Sequence, residues 1–201
     1  MVQVAATCVG TRALGPGLRS VLWVQGCPFR CAGCIAPDWI PYRPGRGVRP
    51  DDLAAELLAD PDVTGLTFSG GEPMTQASAL AGVIGHGRRM RELTLICFTG
   101  FRLAELRARP PDPGVAALLA QTDVLIDGRY VAARNDGRGL RGSDNQRIHF
   151  LSGRLTAAGA ELASGPRRAE IRLSGSSAML VGVPSRAVME TFGGLSARSG
   201  T

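Results

Sequence analysis

Three of the five cysteines of this chain, Cys27, Cys31 and Cys34, fall within eight residues in the spacing C-x-x-x-C-x-x-C. Their thiolates are soft ligands, suited to iron–sulfur clusters, zinc or copper(I). A structural zinc site takes four protein ligands, commonly from two separated pairs. Here Cys8 and Cys97 stand alone, as do the two histidines, His86 and His149. Three thiolates without an evident fourth suit three corners of a cubane cluster whose last iron stays open to another ligand. Zinc remains the alternative. Cys97, between Ile96 and Phe98, reads as a small buried hydrophobe, and Cys8 is ambiguous.

The elements that must position this loop are legible as apolar runs. Residues 20–25 form a strand that leads directly into the cysteines. Residues 64–69 form another, running into Gly70-Gly71-Glu72-Pro73. Residues 93–98 end at Thr99-Gly100, and residues 123–126 end at Asp127-Gly128-Arg129-Tyr130. Helices are expected near 75–90, 102–108 and 114–121, the first weakened by Gly82, Gly85 and Gly87. A further helix is expected to start at a capping Asp51, with Leu53, Leu57 and Leu58 on one face. Strands alternating with helices imply β-α units and a mainly parallel sheet. Functional loops of such sheets gather at the strands' C-terminal ends, which is where each polar motif sits.

Other segments are less regular. A first strand at 2–9 carries Cys8. The prolines and glycines of 36–50 keep that stretch irregular, a polar loop spans 131–145, and a short strand follows near 146–151. After Gly165-Pro166-Arg167-Arg168, residues 169–173 and 179–183 read as a hairpin closed by Ser174-Gly175-Ser176-Ser177. A short helix follows Pro184, and the chain frays after Phe192. The expected organisation is a core over 1–152 and a C-terminal extension over 153–201, which either docks a partner or completes the open side of the sheet.

The chain has 201 residues, 44% of them hydrophobic and 20% charged, enough to bury a core. Its 23 basic and 17 acidic residues give a balance that suits an anionic partner without establishing one; neither nucleic acid nor membrane is an expected partner. The one tight run, Arg88, Arg89 and Arg91, reads as a solvated helix end. No signal peptide or membrane span is evident, and bunched thiols without a disulfide framework point to the cytoplasm.

The motifs together resemble the radical S-adenosylmethionine superfamily: the cysteine loop after one strand and Gly70-Gly71-Glu72-Pro73 after the next. Trp23–Cys27, Phe98–Phe101, Asp123–Tyr130 and Arg141-Gly142-Ser143-Asp144-Asn145-Gln146 are similar to anaerobic ribonucleotide reductase activating proteins, which are glycyl-radical activases. The resemblance implies a partial (β/α) barrel, one 4Fe–4S cluster on Cys27, Cys31 and Cys34, and S-adenosylmethionine on the open iron. It implies that Gly70, Gly71 and Glu72 receive the cofactor's ammonium group. Thr99 falls near its ribose, and Arg129 where a lysine often faces its carboxylate. Asp127, two residues earlier on the same strand end, is a further cofactor-binding candidate, and Ser143, Asn145 and Gln146 fall near the adenosine or substrate.

For Asp127 and Arg129 an ion pair on the surface is the competing reading, and for Ser143 and Asn145 a role in stabilising a turn. Ile35-Ala36-Pro37 after the last cysteine departs from the aromatic residue and asparagine that many activases carry there. The implied activity is reductive cleavage of S-adenosylmethionine to a 5′-deoxyadenosyl radical. A glycyl-radical protein is the expected partner, and flavodoxin or ferredoxin the electron donor. Two rival readings stay open: a radical enzyme acting on a small molecule or peptide, and a non-catalytic zinc or iron–sulfur interaction module.

Overall fold

The central strands are apolar on both faces, and the structure supplies a cover for each. The computed structural model describes residues 1–175, 177–185, 188, 189 and 191. In chain order these form β1 (Val2–Thr11), β2 (Arg19–Val24), β3 (Arg46–Val48), α1 (Pro50–Leu57), β4 (Gly65–Gly70) and α2 (Ala77–Met90). There follow β5 (Thr94–Thr99), α3 (Leu103–Ala108), α4 (Val115–Gln121), β6 (Val124–Asp127), β7 (Arg147–Phe150), α5 (Gly159–Ser164), β8 (Ala169–Ser174) and β9 (Ser177–Gly182). Seven strands make one sheet in the order β3-β1-β2-β4-β5-β6-β7. Its four central strands, β2, β4, β5 and β6, are parallel, and antiparallel strands flank them on both sides.

Alternation along the strands sorts the core into two layers. Leu22, Leu66, Phe68, Leu95, Cys97 and Leu125 pack with α1 to α4 through residues such as Leu53, Leu57, Leu80, Ile84, Leu106 and Leu118. Val21, Trp23, Ile96, Val124 and Ile126 face the other way, onto Leu14, Leu140, Leu162, Val181 and Val183. Helices thus cover one face, and α5 with the β8–β9 hairpin covers the other. A parallel sheet buried on both faces is what near-continuous apolar strands require.

At the end of the sheet away from the cysteine loop, Arg19 is fully buried. Its guanidinium donates to Thr67 Oγ1 at 2.9 Å, Thr94 Oγ1 at 2.9 Å and Pro16 O at 3.2 Å, and also to the Leu66 and Thr94 carbonyls. Burial lowers its pKa to about 9. Gly65 makes room: a Cβ there would run into the Arg19 guanidinium and Thr94 Oγ1. Gly65→Ala is therefore expected to destabilise the fold by about 1–3 kcal/mol, the cost of overpacking a filled site. A urea unfolding midpoint unchanged from the parent would show that this corner yields freely.

Several boundaries differ from the sequence expectation. Residues 36–50 hold a 3₁₀ turn at Pro37–Trp39 and the edge strand β3, whose Val48 pairs with Val2. Prolines bracket that strand without interrupting it, as edge strands permit. Asp51 does not cap α1. Pro50 opens the helix, no side chain caps it, and the Asp51 carboxylate accepts from Arg49 instead. The Pro fits because the first helical N–H has no partner in any case. The helix expected from 75 begins as a 3₁₀ turn over Pro73–Gln76 and runs unbroken from Ala77 to Met90 despite its glycines.

The arginine run at the end of α2 is tied down. Arg88 pairs with Asp123 at 3.0 Å, and Arg91 donates to the carbonyls of Leu58, Asp60 and Pro61 at 2.7–3.0 Å, closing the end of α1. The hairpin forms as expected, with Ser174 paired to Ser177. The tail after Phe192 lies outside the described residues, as does most of the stretch expected to form a helix after Pro184. Among the described residues no helix is long and apolar enough to cross a membrane.

Candidate cluster and cofactor site

The ends of β2 and β4 build the site together. Past Val24 the chain is pinned before the first cysteine: Gly26 N donates to Trp39 O at 2.9 Å and Cys27 N to Ile40 O at 3.0 Å. Gln25 Nε2 reaches Pro41 O at 2.8 Å. From β4, Gly71 N donates to Val24 O at 2.7 Å and Glu72 N to Gly26 O at 2.8 Å. Gly70 adopts a φ of +106°, and a Cβ at Gly71 would collide with the Gly26 carbonyl. The two glycines are needed for the turn to nest against the cysteine loop.

Glu72, 1% exposed, is the buried acid of the site. Its Oε1 accepts from Thr99 Oγ1 at 2.8 Å and Met74 N at 2.9 Å, and its Oε2 from Gly100 N at 2.7 Å. Burial pushes the carboxyl up to about 7, against the pull of those three donors. Thr99 is thus a partner of Glu72, a role that strand-end position alone did not suggest.

Cys27, Cys31 and Cys34 are half-buried free thiols. They line one cavity with Gly70, Gly71, Glu72, Thr99, Gly100 and Arg129. Burial raises the Cys27 thiol to about 11 and moves Cys34 in the same direction, so metal binding would release a proton from Cys27. Among the described residues no three Cys, His, Asp or Glu side chains converge tightly enough to hold a single metal ion. Three thiols on one cavity can serve three corners of a multi-iron cluster, whereas structural zinc takes four protein donors. The donor set fits a cluster, and the acceptor Glu72 on the same cavity fits a cationic ligand beside it.

The remaining expected site residues divide. Arg129 lines the cavity, its guanidinium 4.5 Å from the centre of the Phe29 ring. It does not pair with Asp127. Asp127 leaves β6 on the same face as Leu125, the helical side, away from the cavity. There, 2% exposed, it accepts from Leu103 N at 2.7 Å and Arg102 Nη1 at 3.4 Å, and lies 2.9 Å from His149 Nε2. Its geometry is that of a cap on α3. Asp127→Ala is expected to cost about 2 kcal/mol of stability, the scale of a lost cap or charged hydrogen bond. Affinity for S-adenosylmethionine, measured on the same variant, should stay within about twofold, because 1.4 kcal/mol of lost contact would be needed for tenfold.

Ser143 and Asn145 also stand outside the cavity lining, which instead includes Gly142 and Gln146. Ser143 Oγ accepts from Val131 N at 3.1 Å, and Asn145 Nδ2 donates to Arg129 O at 2.9 Å. Gln146 Oε1 accepts from Gly142 N at 2.7 Å, while its Nε2 donates to Gly128 O at 2.7 Å. This stretch fastens the turn behind Arg129. Residues given no role at the site by sequence reasoning also line the cavity: Trp23, Phe29, Phe98 and Tyr130, and Gly182, Val183 and Pro184 from the extension. Phe29 could have been noticed as the one aromatic residue between the cysteines; nothing in the sequence linked 182–184 to residue 27.

The 4Fe–4S single cluster domain matches residues 13–149. An anaerobic ribonucleoside-triphosphate reductase-activating protein of Vibrio cholerae is 34% identical over 145 residues, covering 67% of this chain and 89% of that protein. The protein of that name from Enterobacteria phage T4 is 29% identical over 139 residues, covering 67% of this chain and 85% of its own length. A pyruvate formate-lyase-activating enzyme of Staphylococcus aureus is 44% identical over 68 residues, 31% of this chain and 27% of the enzyme. With a match across most of its length, the chain belongs to the 4Fe–4S single cluster domain family, among the radical S-adenosylmethionine activases.

Proposed function

We propose that this chain activates a glycyl-radical enzyme, an anaerobic ribonucleotide reductase or a protein like it. The observation that carries the reading is a fully buried carboxylate, Glu72, opening onto the cavity that three half-buried thiols share. When bound, a 4Fe–4S cluster and S-adenosylmethionine supply reductive cleavage to a 5′-deoxyadenosyl radical, which takes a hydrogen atom from the partner's glycine.

The chain's own residues bind and orient. Cys27, Cys31 and Cys34 are the cluster ligands. The Glu72 carboxylate, held by Thr99, Gly100 and Met74, accepts from the cofactor's ammonium group. Arg129 faces its carboxylate with a fork of donors. Leu14, Trp23, Phe98, Val183 and Pro184 make an apolar wall that keeps water from a reactive carbon. Asp127, Ser143 and Asn145 hold the elements that carry these groups.

Residues 1–152 act as the radical core, shaped as a partial barrel rather than a closed one, and residues 153–201 wall its open side. A flavodoxin or ferredoxin supplies the electron, in a cytoplasm that keeps the thiols reduced. The names of the relatives matched over most of their length support the activase reading.

Anaerobic reconstitution tests it. The protein should take up about four irons, as one 4Fe–4S cluster requires, and release 5′-deoxyadenosine from S-adenosylmethionine on reduction. With a glycyl-radical protein from the same genome, a glycyl doublet should appear in the electron paramagnetic resonance spectrum. Cofactor cleavage without any such signal, but with hydrogen transfer from a small molecule or peptide, would transfer the function to that substrate. Binding of one zinc and no iron would remove the enzyme reading altogether.

A further inference from the structure

Phe29 lies in the middle of the cysteine loop, between the exposed Pro28 and Arg30, yet is itself only 9% exposed. Its ring closes against three groups from two other strand ends. It meets Phe101 nearly edge-on, with centroids 4.7 Å apart at 68°. It packs on the backbone of Gly100 so closely that a Cβ there would strike it. Its face carries the Arg129 guanidinium at 4.5 Å. Gly100 is the residue whose N–H holds Glu72 Oε2. One ring from the ligand loop therefore touches both the backbone that fixes the site's buried acid and the side chain of the exposed Arg129.

From this we infer that Phe29 is a positioning residue that couples the cysteine loop to recognition of an amino-acid group in the cavity. The inference rests on the cofactor reading above and deepens it. Arg129 is exposed and forms no ion pair among the described residues. Its guanidinium has a fixed place only while the ring lies beneath it, since a cation is drawn to an aromatic face. The ring has its place only while the loop between Cys27 and Cys31 is folded. Ordering the loop thus presets Arg129 on the cavity that Glu72 also lines, and an ammonium and a carboxylate on one ligand find both partners ready. By linkage, a ligand that engages Arg129 also favours the ordered loop by the same factor.

The experiment compares Phe29→Leu, Phe29→Tyr, Arg129→Gln and the double variant Phe29→Leu/Arg129→Gln in the reconstituted protein. Two probes are used by equilibrium dialysis: S-adenosylmethionine, and 5′-methylthioadenosine, which lacks the amino-acid group. Phe29→Leu should weaken S-adenosylmethionine about fivefold, the upper end for a cation–π contact at an exposed site. It should leave 5′-methylthioadenosine within about twofold and iron content unchanged, a selectivity that general loosening of the loop does not give. Phe29→Tyr should restore binding, and the double variant should bind no worse than Arg129→Gln alone, the mark of two residues acting as one unit.

Equal weakening of both probes, loss of iron, or multiplying effects in the double variant would overturn the inference. A ligand-free arm separates it from the cofactor reading: the same variants in urea should show non-additive midpoints without any cofactor. Parent protein that fails to bind S-adenosylmethionine overturns the proposed function, while additive midpoints overturn the Phe29–Arg129 coupling.

Discussion

Replacing Cys31 with Ala should abolish cleavage of S-adenosylmethionine and leave the reconstituted protein without its iron–sulfur absorbance, whereas Cys97→Ala should keep both. The two thiols differ in surroundings and not in kind. Cys31 is half-buried and lines the cavity with Cys27 and Cys34. Cys97 is fully buried on the helical face of β5, packed in the core, and burial drives its pKa well above the ordinary thiol range. A sulfur in that setting neither ionises nor reaches a metal. Its removal should cost about 1 kcal/mol, the scale of a small deletion from a core. Iron content and cleavage rate, measured beside a urea midpoint, separate the two cases. Equal loss of iron in both variants would show that the cysteines have been divided wrongly.

The second large effect concerns Glu72 and pH. Its carboxyl stands at about 7 in the ligand-free fold, against an ordinary 4.5, because it is fully buried. A folded value raised above the unfolded one means that stability is fully present below about 4.5 and is lost as pH rises through about 7, above which the carboxyl is ionised in both states. The shift corresponds to about 3 kcal/mol at 1.36 kcal/mol per unit, so the ligand-free protein should be measurably more stable at pH 5 than at pH 8.

Cofactor affinity should run the opposite way. An ammonium group needs the carboxylate form, so binding of S-adenosylmethionine should tighten by up to about tenfold per unit as pH rises to about 7 and then level off. Glu72→Gln keeps the shape and removes the charge. It should weaken binding at pH 8 by about 10- to 100-fold, the range of a charged hydrogen bond, and flatten both pH profiles. A Glu72→Gln variant that still showed the rise in affinity between pH 5 and 7 would assign the titration to another group.

Much of this was legible because strand ends announce themselves. The runs before Cys27, Gly70, Thr99 and Asp127 are apolar on both faces, so the sheet and the convergence of its loops followed from local pattern. Asp127 misled for a reason visible only in three dimensions. It shares a loop motif with Arg129, but strand alternation sends it to the helical side with Leu125, where it caps α3. Thr99 lines the cavity as expected of a strand-end residue, but its bond to Glu72 was not legible, since the hydroxyl reaches a carboxylate 27 residues earlier in the chain. Asp51 looked like a cap because acidic residues favour helix starts, yet Pro50 had already fixed the first turn. Pairings between Phe29, Gly100 and Arg129 span three segments, and no periodicity carries such contacts.

The extension has a practical meaning. The family match stops at residue 149, but the inner face of the sheet is sealed by Leu162, Val181 and Val183. A fragment cut at the end of the match would turn Val21, Trp23, Ile96, Val124 and Ile126 toward water, a contiguous greasy surface of the kind that drives aggregation. Anyone expressing this protein in pieces should keep β9 and Val183 with the core rather than end the chain at 149.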